Sequence, residues 1–139
     1  MSTFSNVTFE DMGKLMIRIA VGGLILFHGF AKMVHGVAWI KGPLGAFGLP
    51  GFLAYGTYIA EVVAPILILL GVRARLAALV IAFDMVMAVL LVLRQNIFVV
   101  KQAGGGWGIE LEAFFFLTSL ALFFIGAGKY SVSKTSMWD

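Results

Sequence analysis

Long apolar runs separated by short polar stretches set the layout of this chain. They cover about residues 14–34, 52–72, 76–93 and 108–127. Each approaches the roughly 20 residues that a helix needs to cross about 30 Å of hydrocarbon. The pattern predicts an all-α membrane protein, an antiparallel four-transmembrane-helix bundle forming a single domain over residues 1–139. Residues 1–13 read as a polar lead-in, with Thr8 and Asp11 spaced as a helix-start signal. The first apolar run is long enough to be a retained span rather than a cleaved leader. Between the first two spans, Gly42, Gly45, Gly48 and Gly51 alternate with Pro43 and Pro50, which argues against a regular helix there. Pro65 interrupts the second span and frees a backbone carbonyl. Arg73-Ala74-Arg75 makes a tight turn into the third span, and a polar loop ends in Gly104-Gly105-Gly106-Trp107. Gly56, Ala60 and Ala64, and likewise Ala74, Ala78 and Ala82, recur every four residues and let helix backbones approach.

Composition strengthens this picture. Of 139 residues, 61% are hydrophobic and 12% charged, with a mean hydropathy of +1.02. A soluble domain is about 45–50% apolar and about 25% charged. Cysteine is absent, which excludes disulfide exchange, thiolate nucleophiles and iron–sulfur clusters. The net charge of +3 comes from residues at span ends, a membrane-anchoring pattern, and nucleic acid is not an expected partner. With both termini inside, Lys14, Arg73, Arg75, Lys129 and Lys134 lie on the inner side, and Lys32, Lys41, Arg94 and Lys101 outside. The positive-inside rule then favours cytoplasmic termini in a multi-pass protein of the bacterial inner membrane. Trp39 and Trp107 fall at one interface and Trp138 at the other.

The candidate chemistry lies in ionisable side chains within the apolar runs: Arg18, His28, Lys32, Glu61, Asp84, Glu110 and Glu112. Charges in hydrocarbon are expensive and usually face a bundle interior or a wet cavity. At about 1.5 Å per residue, His28, Glu61 and Asp84 form a layer about 9–13 Å below the outer helix ends. Lys32, Glu110 and Glu112 lie in a shallower layer. His28 and Lys32 share a helix face, with Arg18 within about 80° of His28. Glu110 and Glu112 point to different sides, and Glu110 is the one expected to join the interior. Blander readings stand beside these. Arg18 and Lys32 can snorkel to headgroups, His28 can be a satisfied core histidine, and Glu61 and Asp84 can be structural ion-pair members. The phenylalanines at 114–116, 123 and 124 read as lipid-facing or packing residues.

The segments Arg18…Phe27-His28-Gly29-Phe30-Ala31-Lys32, Glu61…Leu69-Leu70-Gly71-Val72-Arg73, Gly108-Ile109-Glu110 and Gly126-Ala127-Gly128-Lys129-Tyr130-Ser131 together resemble the DoxX family of small four-span bacterial inner-membrane proteins. The closing stretch departs from the family's usual Gly-Pro-Gly-Arg, with Ala127 for the proline and Lys129 for the arginine. The resemblance implies Arg18, His28, Lys32, Glu61 and Glu110 as a functional polar set. It also implies the roles found in the wider family: membrane subunit of a thiosulfate:quinone oxidoreductase, or companion of redox-stress enzymes.

The leading expectation is a quinone-interacting or oxidoreductase-associated membrane subunit, not autonomous as an enzyme, because the chain carries no redox centre of its own. Its catalytic set would be His28, Glu61, Lys32 and Glu110. Arg18, His28, Tyr58 and Asp84 would contact the cofactor. Quinone is the expected cofactor, and no metal, haem or nucleotide is expected. The expected partners are the lipid bilayer, a redox protein and further copies of the chain. The alternatives are a structural or assembly subunit of a membrane complex, and a small proton-coupled transporter using Glu61 and Asp84.

Overall fold

The computed structural model describes residues 8–139, and the first seven residues of the expected lead-in lie outside that range. The described residues form helices joined by turns and loops, with a single isolated bridge, Val100 to Trp107, as their only β pairing. Three helices are long and apolar enough to cross a membrane: α1 (Phe9–His35), α3 (Gly51–Leu70) and α4 (Ala74–Asn96). A fourth, α5 (Glu110–Ile125), has 16 residues. At about 1.5 Å per residue it is about 24 Å long, shorter than the expected run of residues 108–127 because glycines bound it. The remaining short helix, α2 (Lys41–Ala46), lies in the first loop and follows a 3-10 turn, Ala38–Ile40.

Local chemistry explains the ends. The Thr8 hydroxyl accepts from the Asp11 amide and starts α1 several residues earlier than the apolar pattern alone indicates. Gly71, at φ +72°, ends α3. Its amide bonds the Ile68 carbonyl and the Val72 amide bonds that of Leu67, a Schellman closure that reverses the chain within a few residues. The expectation of no regular helix in the first loop is corrected by α2. Pro43 stands in its first turn, where no intrahelical N–H is needed, so the Gly/Pro-rich sequence still permits a turn and a half. Residues 97–109 fold back on themselves through the Lys101 amide to the Gly106 carbonyl and the Gly108 amide to the Val99 carbonyl.

Each long helix carries a five-residue π-turn: Ile19–Gly23, Ile59–Val63 and Val89–Leu93. The second has a visible cause. Pro65 has no amide hydrogen to give the Glu61 carbonyl, so the helix widens just before it.

The core draws on all the long elements: Val21 and Ile25 of α1, Ala64 and Ile68 of α3, Ala77, Ala78, Ile81 and Met85 of α4, Phe115 and Leu122 of α5. The small-residue ridge Ala74, Ala78, Ala82 is buried as expected. In the α3 ridge Ala60 and Ala64 are buried, but Gly56 has open space around it. The closest backbone approach comes instead from α1. A Cβ on Gly22 would meet Leu69 and the Pro65 carbonyl, and one on Gly29 would collide with the Glu61 carbonyl. A second cluster, Val37, Ile40, Leu44 and Ala54, seats α2 against the start of α3. Phe27, Phe30, Phe83, Phe114 and Phe124 project outward, as a lipid-facing surface requires.

At the opposite end from His35, residues 126–139 cross the helix ends. The Arg75 amide bonds the Trp138 carbonyl, the Val132 amide that of Leu70, and the Ala127 amide that of Asp139. The Asp139 carboxylate accepts from the Arg73, Thr135 and Ser136 amides and the Ser133 hydroxyl. These bonds hold its pKa well below 3.8, at about 2. They also favour Arg73 at φ +50°, a left-handed conformation unusual for a side-chain-bearing residue.

Candidate functional site

Lys32 stands in the last turn of α1 and Glu61 in the π-turn of α3. The closeness of α1 and α3 at Gly29 brings them together, and the Lys32 Nζ lies 2.5 Å from both Glu61 carboxylate oxygens. Glu61 is 5% exposed, so this is a buried ion pair. Lys32 therefore turns inward instead of snorkelling, and its four-carbon stem joins the two layers expected from depth alone. A buried pair gains little net stability after desolvation, but losing either partner strands a charge at a cost of about 3–5 kcal/mol. Tyr58, one turn before Glu61, donates its hydroxyl to the Lys32 carbonyl at 3.1 Å. Its ring stacks on Tyr55, which in turn lies under the Lys41 ammonium. Tyr58 thus fixes the backbone that carries Lys32.

Asp84 of α4 completes the cluster. Its carboxyl lies close enough to Glu61 and Lys32 to feel both charges. Its Oδ2 is buried with no hydrogen-bond partner among the described residues.

Above this cluster lies a cavity of about 370 Å³. Lys32 and Glu61 form its polar floor, and Ile25, Met85 and Phe115 its apolar walls. His35, Gly36, Trp39, Val92 and Leu93 surround it toward the His35 end of the helices. His28 projects into it with its ring edge-on to Phe115, centroids 6.1 Å apart at 87°. The imidazole makes no hydrogen bond among the described residues, so both ring nitrogens can serve an occupant. A smaller apolar hollow of about 240 Å³, between α4 and α5, shares Met85 and Glu112 with this cavity. It is lined by Val86, Val89, Leu90, Trp107, Ile109 and Phe116 among others.

Four expected site residues do not line the cavity: Asp84 lies behind it, Tyr58 packs against the second cluster, and Glu110 and Arg18 sit farther off. Glu112 lines the cavity, whereas Glu110 is exposed beside Gly106. The expectation that Glu110 would join the interior is thereby corrected. The buried stripe of α5 is Phe115, Ser119 and Leu122, and at about 100° per residue Glu112 extends it while Glu110 points away. Arg18 is 1% exposed but lies near the tail, and its guanidinium is fully engaged. It donates to the carbonyls of Ile68 (2.8 Å), Leu69 (2.6 Å), Ala127 (3.1 Å) and Tyr130 (2.5 Å). Two of these, Ile68 and Leu69, lie in the last turn of α3, where carbonyls lack an i+4 amide partner. Arg18 is a clamp, not a group free to contact a cofactor in the cavity.

Phe115, Met85 and Trp39 are cavity residues that the apolar pattern did not single out. Phe115 alone carries a signal in retrospect, since it stands on the α5 face that Glu112 begins. The arrangement offers an ammonium, two carboxyls and an unbonded imidazole against apolar walls. It can bond a carbonyl or hydroxyl of a flat molecule and exchange protons with it.

The DoxX family model matches residues 13–94, the stretch that holds most of α1, all of α2 and α3, and most of α4. A Haemophilus influenzae protein described as uncharacterized is 32% identical over 121 residues, 85% of this chain and 86% of that protein. A Bacillus subtilis protein whose name reads "Putative oxidoreductase CatD" is 29% identical over 87 residues. That match spans 63% of each of the two chains. No solved structure matches.

Proposed function

We propose that this chain, which belongs to the DoxX family, is a four-span bacterial inner-membrane protein. Its cavity receives the head of a lipid-soluble quinone on behalf of an oxidoreductase partner. Both termini are cytoplasmic, which sets the His35 end of the cavity toward the outer leaflet. In this reading α5 spans despite its 16 residues, because the glycine-rich segments at both its ends and local bilayer thinning make up the difference.

The observation that carries the proposal is the floor of the cavity, where the buried Lys32–Glu61 pair lies below an imidazole that makes no hydrogen bond among the described residues. A quinone head presents two carbonyl oxygens across a flat ring. His28 donates to one and the Lys32 ammonium to the other, while Phe115 gives the ring an apolar face. The adjoining hollow behind Met85 and Glu112 suits the start of an apolar chain. Electrons come from the partner, and this chain contributes position and protons. The name of the Bacillus subtilis relative is consistent with an oxidoreductase setting.

Trp39, in the cavity lining, makes a built-in probe. Titrating the protein in lipid nanodiscs with a short-chain quinone is expected to quench its tryptophan fluorescence saturably. His28→Ala is expected to weaken that binding about tenfold, the equivalent of one hydrogen bond to a buried acceptor. Quenching that never saturates, or that is the same in His28→Ala, would overturn the proposal. If so, continued co-purification of a His28→Ala, Glu61→Gln variant with an active enzyme complex would favour the assembly reading.

A further inference from the structure

We infer that the tail end of the molecule carries a second site, a pocket in which the Arg75 guanidinium grips an anionic phosphate group. The pocket has a volume of about 210 Å³ and lies between the start of α4, the end of α5 and the fold-back of the tail. Its lining combines two cations, Arg75 and Lys134, with Ser131, Ser133 and Ser136. It is at the opposite end of the helices from the cavity beside His28, and it does not depend on the quinone reading.

Arg75 is the group that calls for an anion. Its main chain is pinned, since its amide bonds the Trp138 carbonyl at 2.9 Å. Its side chain is only partly exposed, yet the guanidinium makes no hydrogen bond, ion pair or ring contact among the described residues. Arg18, at the same end of the molecule, gives its fork to four carbonyls. Arg75 has no such outlet, although it lies against the end of α5. A Cβ on Gly126 would stand 2.9 Å from its Nη2 and 3.2 Å from its Nε. A side chain there would displace the guanidinium, so glycine keeps it lodged in the pocket. Asp139, the acid in the lining, does not neutralise it. That carboxylate is taken up by the Arg73, Thr135 and Ser136 amides and the Ser133 hydroxyl. No acid stands in the first turn of α4 to balance Arg73 and Arg75 at the positive end of that helix. The Ser136 hydroxyl accepts from the Trp138 amide and gives its own hydrogen to no described residue.

These groups suit a phosphate. A guanidinium presents two parallel N–H donors that match two phosphate oxygens, Lys134 adds a mobile ammonium, and Ser136 adds a hydroxyl donor. The level is right as well. Arg75 is the second residue of a membrane-length helix and Ile125, the apolar wall, is the last of α5. Span ends lie where headgroup phosphates lie, and basic residues there attract anionic lipids. The same chemistry accepts a lipid headgroup or free phosphate.

Native mass spectrometry of the full chain, with phosphatidylglycerol and phosphatidylcholine in equal amounts, tests the lipid source. One phosphatidylglycerol is expected to be retained with about a tenfold preference, the equivalent of one charge-assisted hydrogen bond. That preference should vanish in Arg75→Gln, shrink in Lys134→Gln and persist in Lys101→Gln, which removes a charge at the other end. Inorganic phosphate titrated onto the protein in phosphatidylcholine nanodiscs tests the soluble source, read by Trp138 emission in a variant lacking Trp39 and Trp107. A saturable response that Arg75→Gln abolishes, without any lipid preference, would support the pocket with free phosphate as its ligand. Neither preference nor saturable response, responses unchanged in Arg75→Gln, or an equal loss in Lys101→Gln would overturn the proposal. The first of these outcomes needs no Arg75 variant. Quinone quenching should be the same in Arg75→Gln, and the lipid preference the same in His28→Ala, so failure of one site is distinguishable from failure of the other.

Discussion

Single residues in this protein divide into those that hold the fold and those that face the cavity, and burial alone does not tell them apart. Arg18 and Glu61 are both almost fully buried, yet Arg18 bonds only backbone and Glu61 meets a side-chain cation at the cavity floor. The planar fork of Arg18 reaches carbonyls of both α3 and the tail at once. A lysine there has one ammonium and cannot span them. Arg18→Lys is expected to destabilise the protein by about 2–4 kcal/mol, because at least two charged hydrogen bonds are lost and buried carbonyls are left unpaired. Thermal unfolding in detergent would measure this, and quinone affinity of the folded fraction should stay within a factor of about two. The sequence exposes Lys32, Glu61 and Asp84 because a charge inside an apolar run is conspicuous. It hides the job of Arg18, since carbonyl acceptors belong to the backbone and leave no mark in side-chain identity. The choice between Glu110 and Glu112 is hidden for another reason: it depends on the phase of α5, which packing of Phe115, Ser119 and Leu122 sets.

At the level of elements, the site depends on how closely α1 lies on α3. Gly29 packs against the Glu61 backbone, and Gly22 against Leu69 and the Pro65 carbonyl, seven residues apart on one face of α1. Gly29→Ala would drive a methyl into the Glu61 carbonyl. It is expected to force the helices apart at a cost of about 1–3 kcal/mol or more. Distances between spin labels on α1 and α3 should lengthen, and the Lys32–Glu61 contact should loosen with them. Helix existence and approximate bounds follow from apolar length, which is why α1, α3 and α4 appear where the hydropathy pattern predicts. The π-turns do not follow from it, apart from the one that Pro65 announces. Glycine in α1 also reads ambiguously: next to His28 it suggests a motif, whereas its physical role is to admit a neighbouring backbone.

For the molecule as a whole, the end of the chain matters as much as the helices. Asp139 gathers bonds from Arg73, Ser133, Thr135 and Ser136, and its pKa falls from 3.8 to about 2. A carboxylate more acidic in the folded state stabilises that state above pH 3.8 and loses the contribution as pH falls toward about 2. Acidification through that window is expected to loosen the tail before the helices melt, visible as a change in Trp138 emission in a variant lacking Trp39 and Trp107. Asp139→Asn should show the loosened signal at neutral pH. Alternating helix direction was readable from the short Arg73-Ala74-Arg75 turn. The fold-back of residues 126–139 was not, because its contacts are main-chain bonds between segments far apart in sequence. That fold-back has a consequence for traffic. In the proposed reading, with Arg18 lacing the tail across one end and the cavity approached from the other, the cavity would be a blind alley rather than a corridor. A guest would have to depart through the doorway it used to arrive, so its residence time, and not a passage rate, would govern turnover.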